Sequence, residues 1–346
     1  MSMQFRINGK SFDGAKSGTI NIGIDSIANS FNAVITNFWS SSVTEIKAGD
    51  SVEIYMDESK RFSGWIDNAQ PSIGGDGNLV NISGRSKSGD IIDCTPDTAQ
   101  SEFKNQTLES LIGALVSPFG ISVSAKVSTG EIIKTANYEQ GETILEFIKD
   151  EAVKKGLLLY SDSAGNIVID RAGTVSSGLN FIEGENILDC SARVDYSNRY
   201  SKYIVKGDQQ SNSFISEEDA TQSIAIATDT EIRYRPLIII VDGVADNDIC
   251  AQRAKWEAKI RRGKSVSYSV RLQGWYFNLN ETCVLQSERI GANSEQLLIS
   301  RIRNSFSPSG KICEMELVRP DTFAEAPTLA LDKPKKENPY FKEFGL

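Results

Sequence analysis

The sequence predicts an α+β chain that is mainly β: two small β-barrel-like domains, an inserted α+β domain and a further helix-containing insertion. Three features of the chain point there. Short runs that alternate polar and apolar side chains, split by turn residues, occupy both ends, as half-buried strands do. Two capped segments with helical periodicity lie between residues 107 and 155. A polar stretch and one charged helix then interrupt the second alternating region.

Residues 1–96 form the first barrel-like domain. Ser51 to Met56 alternates along its length, Asp57-Glu58-Ser59-Lys60 reads as a turn, and Arg61 to Ile66 returns as a strand. Gly74-Gly75-Asp76-Gly77-Asn78 is a second turn leading into Leu79 to Ser83, because Gly and Asn reach the positive φ that tight hairpins need. Residues 97–172 form the α+β domain. Thr107 is placed to cap a helix whose Leu108, Leu111, Ile112, Leu115 and Val116 share one stripe, ended by Pro118 and Gly120. A second helix runs from about Glu142 to Lys155, with Ile144, Leu145, Ile148 and Ala152 on one face and Gly156 as its stop. Leu157 to Tyr160 and Asn166 to Asp170 then pair as a hairpin through Ser161-Asp162-Ser163-Ala164-Gly165.

Residues 173–206 and 265–323 form the second barrel-like domain. The clearest strands of this half are Ser201 to Lys206, Ile232 to Val241, Ser265 to Leu272, Leu297 to Ile302 and Lys311 to Val318. Residues 207–264 are an insertion. It holds a polar loop over 208–230, one of those strands, and a helix from Asp246 to about Arg262 with Ile249, Trp256 and Ile260 near one stripe. Residues 324–346 form an extended tail with Pro327, Pro334 and Pro339. It finishes on Tyr340, Phe341, Phe344 and Leu346, apolar side chains that suit docking on a partner; a frayed terminus is the alternative.

Composition narrows the chemistry. With 346 residues, 40% of them hydrophobic and 24% charged, the chain has enough apolar material for several packed domains. A net charge of −9 opposes binding to phosphate backbones. The absence of histidine removes His-based acid–base catalysis, Ser-His and Cys-His nucleophiles and His-containing zinc sites, while leaving carboxylate and Lys chemistry open. Cys94, Cys190, Cys250, Cys283 and Cys313 are odd in number with no CxxC pair, which suggests buried free thiols in a reducing compartment. The start lacks the basic and apolar regions of a secretory signal. The longest aliphatic run, Pro236 to Val241, is far too short to cross a bilayer. Synthesis in a cytosol without membrane embedding is expected.

No phosphate-binding loop, dinucleotide fingerprint, metalloprotease helix or calcium loop is present. Asp93 with Asp97, and Glu217-Glu218-Asp219, are the densest carboxylates, and solvated loops account for both. Arg253, Lys255, Lys259, Arg261, Arg262 and Lys264 concentrate positive charge, but Glu257 interrupts them and only Lys255, Lys259 and Arg262 share a face. A solvated helix or a subunit contact fits that cluster better than nucleic acid does. No catalytic, cofactor-binding or metal-binding residue is predicted.

Four segments carry a family resemblance: Ser83-Gly84-Arg85-Ser86-Lys87-Ser88-Gly89-Asp90-Ile91-Ile92-Asp93-Cys94; Gly141 to Ile148 running on to the Asp162-to-Asn166 hairpin; Trp256 to Ser265; and Leu297-Leu298-Ile299-Ser300 through Arg319-Pro320-Asp321-Thr322-Phe323. In this order and spacing the chain resembles the baseplate hub proteins of Mu-like contractile-tailed phages, the 43 kDa tail protein family. The helix–hairpin segment is also similar to parts of other phage hubs and of type VI secretion spike proteins. Gly274-Trp275-Tyr276-Phe277-Asn278 departs from the family pattern.

The resemblance implies a structural, non-enzymatic homotrimer in the virion baseplate, assembled in the host cytoplasm. It further implies a ring that joins tail tube to central spike, contacts wedge proteins and surrounds an axial DNA passage without reading sequence. The competing readings are a tail-borne cell-wall-degrading enzyme and a spike component of a contractile secretion or injection apparatus.

Overall fold

The computed structural model describes residues 3–12, 14–36, 46–74, 77–97, 101–208 and 222–324. The chain is mainly β with few helices, an α+β fold, and divides into two compact units. Among the described residues, one contains those of 3–194 and 266–320; the other contains those of 195–265 and 321–324.

The first unit is built on a 13-stranded sheet. From one edge the order is Asp189–Val194, Val266–Gln273, Gly310–Val318, Ala292–Ser307, Ala15–Gly23, Ser30–Thr36, Gly77–Ser86, Ser59–Gly74, Ser51–Met56, Met3–Ile7 and Lys10–Phe12. Ala292–Ser307 is the joint. Its first half pairs with Glu281–Ser287, which in turn pairs with Val175–Ile182, and its second half pairs with Ala15–Gly23. At 16 residues it is long enough to serve both ends of the chain. Two separate barrel-like domains were expected. Instead the hydrogen-bonded order is an open path, with no closed barrel among the described residues. A single apolar core also spans both β regions: Phe5, Ile20, Phe31, Ile54 and Phe62 cluster with Ile299, Met315 and Leu317. Phe31 and Phe62 meet edge-on with ring centroids 5.0 Å apart, the arrangement the ring quadrupoles favour.

A second core in the same unit belongs to the α+β part. Its helices are α1 (Asp90–Asp93), α2 (Leu108–Val116) and α3 (Ile144–Lys154). Thr107 caps α2, its hydroxyl accepting the Ser110 N–H at 3.2 Å, and all five expected stripe residues are buried. α3 starts at Ile144 because Thr143 and Glu146 form a reciprocal capping box that satisfies two otherwise orphaned N–H groups. Phe147 joins Ile144, Ile148 and Ala152 in the buried face, and Leu145 is half-buried. Gly156 takes φ +66°, which lets the chain leave the helix.

The expected hairpin is Leu158–Ser161 with Ile167–Asp170, its loop held by Asp162 Oδ1, which accepts the N–H groups of Ala164 and Asn166. Val123–Ala125 adds a parallel third strand, and Glu102–Gln106 pairs with Ile133–Asn137; neither is evident in the sequence pattern. Ile91 on α1 packs into this core.

The second unit has a three-stranded sheet in the order Gln222–Thr228, Lys202–Asp208, Pro236–Val244, and a long helix, α4 (Asn247–Lys264). Gln222–Thr228 lies inside the stretch expected to be loop; its Ser-Ile-Ala-Ile-Ala alternation wins over the surrounding polarity. The strand expected from Ile232 begins only at Pro236, after a segment tied down by Arg235.

Asp246 caps α4 through Oδ1, which accepts the Ile249 N–H at 2.8 Å. The buried side of α4 is Cys250, Ala254, Glu257 and Gly263, while Ile249, Trp256 and Ile260 are only half-buried. Close approach decides this. A Cβ on Gly207 would come within 2.6 Å of the Ala245 Cβ, and one on Gly263 within 2.5 Å of the Thr322 backbone N. Only small side chains fit such separations.

Candidate assembly surfaces

The four candidate docking residues, Tyr340, Phe341, Phe344 and Leu346, lie outside the described residues, as do Glu217, Glu218 and Asp219. Several of the other chemistry-bearing groups are paired within the fold. Asp93 accepts from Arg85 Nη1 at 2.7 Å, and Arg85 Nε reaches Asp67 at 3.0 Å. On α4, Arg253 and Arg261 both hold Glu257 at 2.8 Å, Lys259 pairs with Asp321 at 3.2 Å, and Arg262 with Glu231 at 3.2 Å. Much of the positive cluster is thus spent within its own unit, which removes the electrostatic footprint a nucleic-acid surface needs.

Two polar networks are centred on buried groups, Arg199 and Asp170. Arg199 is 1% exposed and grips Asp229 in bidentate fashion at 2.6 and 3.1 Å, with a further bond to Glu231 at 2.5 Å. Burial pushes the Asp229 carboxyl up, but the Arg199 hydrogen bonds outweigh it and leave the group below the ordinary aspartate range. In the first unit, Tyr160 and Asn280 both donate to Asp170 Oδ2, at 2.9 and 3.0 Å, and Lys126 donates to the Tyr160 oxygen. This stitches the α+β hairpin to the sheet.

All five cysteines are free. Burial pushes the thiols of Cys283 and Cys313 up to about 12, so they stay protonated and inert at neutral pH. Among the described residues no cluster of three or more His, Cys, Asp or Glu could hold a metal.

One surface stands apart. In the three-stranded sheet of the second unit, Ile204 sits between Ile226 and Ile238, and Lys206 between Ile224 and Ile240. These rows face away from α4 and are largely open to solvent. The alternate positions, Tyr203, Val205, Ala225, Ala227 and Ile239, point inward, and α4 covers that side with Cys250 and Ala254. The signal was in the sequence, in Ile224-Ala225-Ile226-Ala227 and Ile238-Ile239-Ile240, but alternation does not say which side is wet.

Comparison with known proteins follows the same outline. Residues 2–86 match the family described as Mu phage baseplate assembly protein GpP-like, N-terminal, and residues 88–171 match the second domain of baseplate hub protein gp44-like. The chain is 25% identical over 315 residues to baseplate hub protein gp44 of Escherichia phage Mu, covering 87% of this chain and 83% of the relative. The 43 kDa tail protein of prophage MuSo2 from Shewanella oneidensis superposes with a TM-score of 0.82 at 29% identity, over 94% of this chain and 100% of that one. An E. coli type VI secretion component, the c3393 protein, shares the fold alone, with a TM-score of 0.58 at 9% identity over 94% and 80% of the two chains. Adjoining domain matches, an alignment over most of the length and a shared sheet-and-insertion architecture make the chain similar to the Mu-like phage baseplate hub proteins and support a structural hub role in the tail.

Proposed function

We propose that the chain works as a homotrimeric ring in the virion baseplate, assembled in the host cytoplasm, that joins the tail tube to the central spike and encloses the DNA passage. The alignment with the Mu hub over most of both chains carries this reading. In it, residues 1–96, and 173–206 with 265–323, act as two β modules per subunit, linked through Ala292–Ser307. Six modules then match a six-fold tube to a three-fold spike, with residues 97–172 inserted between the two modules of a subunit and 207–264 within the second. Subunits of a ring meet through two different patches, so the contacts are heterologous and close on themselves after three copies. Three chains at −9 each carry −27, a charge that repels DNA from the channel wall and favours passage over binding. No catalysis is assigned: the work is done by interfaces with tube, spike and wedge proteins.

The tail residues Tyr340, Phe341, Phe344 and Leu346 are proposed to dock on the spike or another tail protein. Truncation after about Ala326 then spares the fold but weakens that attachment, and unchanged co-purification of the partner would overturn the assignment. The ring itself is tested by light scattering after gel filtration across a concentration series. A species near three times 37.9 kDa supports it, and a monomer throughout refutes it. The fold shared with the type VI component favours one second reading, a spike part of a secretion apparatus. Neighbouring genes separate the two: a capsid and sheath set supports the phage hub, an effector cassette the secretion machine.

A further inference from the structure

We infer that the outward isoleucine face of the second unit's sheet is a subunit–subunit contact, occupied by a second copy of this chain. This rests on the homotrimer proposed above and names the surface that makes it. Ile224, Ile226, Ile238 and Ile240 are 48%, 57%, 57% and 73% exposed, with half-buried Ile204 between them. Tyr234, also strongly exposed, lies beside Lys202 at one end, the ammonium 6.0 Å from the ring centroid.

The strand Gln222–Thr228 is inverted in side-chain size. Its small residues, Ala225 and Ala227, go under the helix, while Ile224 and Ile226 face out. Burial ordinarily selects the opposite, because each methylene withdrawn from water contributes to stability. Four isoleucines and a tyrosine at these exposures make a continuous apolar patch of several hundred Å², the size at which monomer surfaces stop and interfaces begin. That area approaches the roughly 800 Å² per partner of a standard interface.

The chemistry selects the occupant. A face this rich in isoleucine matches the apolar core of permanent homo-oligomer contacts more than the polar surface of transient ones. Such a face needs cover from the moment the chain folds, and another copy of the same chain is present then in equal amount. The charged side chains on it, Lys202 and Lys206, make no ion pair among the described residues. An incoming copy of a chain at −9 carries more acidic than basic side chains with which to meet them.

The test compares the full-length parent with two variants, Ile238→Lys/Ile240→Lys and Ile238→Thr/Ile240→Thr. Absolute mass is followed over a concentration series, and cooperative unfolding is checked for each. The threonines keep β-branched strand propensity while removing apolar area, so they decide the matter if the lysine variant does not fold. A trimeric parent with folded variants whose association is at least tenfold weaker is the expected result. A trimeric parent with variants of unchanged concentration dependence overturns the assignment of this face and leaves the ring standing, as does a face in the trimer that still takes up a spike or tube protein. A parent that is monomeric throughout overturns both.

Discussion

The α+β part of the first unit and the sheet of the second unit spend their isoleucines in opposite ways. In the first, Ile112, Ile144, Ile148, Ile167 and Ile169 are all buried together, and the two helices that carry the first three begin in satisfied caps. In the second, the inward side holds Val205, Cys250, several alanines and Ile239, the structure is braced by the buried Arg199 with Asp229 and the exposed Glu231, and four other isoleucines face out. The first region is complete by itself. The second buries a small apolar cluster and leaves much of its apolar material outside, which is how a part meant to be finished by another molecule differs from a part that is already finished.

The contrast breaks first at Arg199 if it is wrong. Arg199→Met leaves Asp229 largely buried without its partner, which costs about 3–5 kcal/mol in such settings. Hydrogen exchange of the Lys202–Asp208 amides should speed up accordingly while exchange in α3 is unchanged. Unchanged protection in the second unit would mean that its small apolar cluster suffices alone. Arg199→Met/Asp229→Leu should recover part of the loss, because no charge is then left stranded. The same network sets a pH dependence. Asp229 and Glu231 both titrate below their ordinary values in the folded chain, Asp229 because Arg199 outweighs burial and Glu231 because Arg199 binds it. Groups with lowered values stabilise the fold above their unfolded range and lose that contribution as pH falls through the folded one. The second unit should therefore weaken below about pH 4, and Arg199→Met should flatten that slope.

Ile148→Ala comes next. Ile148 is fully buried among α2, α3 and the hairpin, and its truncation leaves a cavity worth about 2–5 kcal/mol in urea unfolding. A loss under 1 kcal/mol would show a core able to collapse around the gap, and would blur the difference between the two regions.

These elements differ in how far they could be read from the chain. α2 was legible to the residue, because Thr107, an unbroken stripe and Gly120 all favour the same helix. α3 was legible apart from Phe147, whose burial depends on Phe103 and Tyr138, outside the helix, packing against it. The joining of both β regions through Ala292–Ser307 was not legible, since pairings between residues nearly 300 apart leave no local trace. For α4, the periodic Ile249, Trp256 and Ile260 were misleading. The sheet approaches so closely that alanine, cysteine and glycine positions had to form the contact. The isoleucine face was visible as a pattern and invisible as a surface, because period two fixes which residues share a side and not which side is covered.

The smallest expected effect is the sharpest test of the comparison. Ile240 has nothing to lose within its own subunit: it is 73% exposed, and its neighbours in the sheet are Lys206 and other outward side chains. In a background dissociated by Ile226→Lys, Ile240→Ala should change unfolding free energy by less than about 0.5 kcal/mol, as surface substitutions do. In the parent background the same change should lower the unfolding midpoint by an amount that grows on dilution, because the apolar area it removes is buried only on association. Equal effects in both backgrounds would place Ile240 in the subunit's own stability. The second unit would then be a completed fold like the first, with an unusual but idle surface. A difference between backgrounds separates folding from assembly at a single side chain.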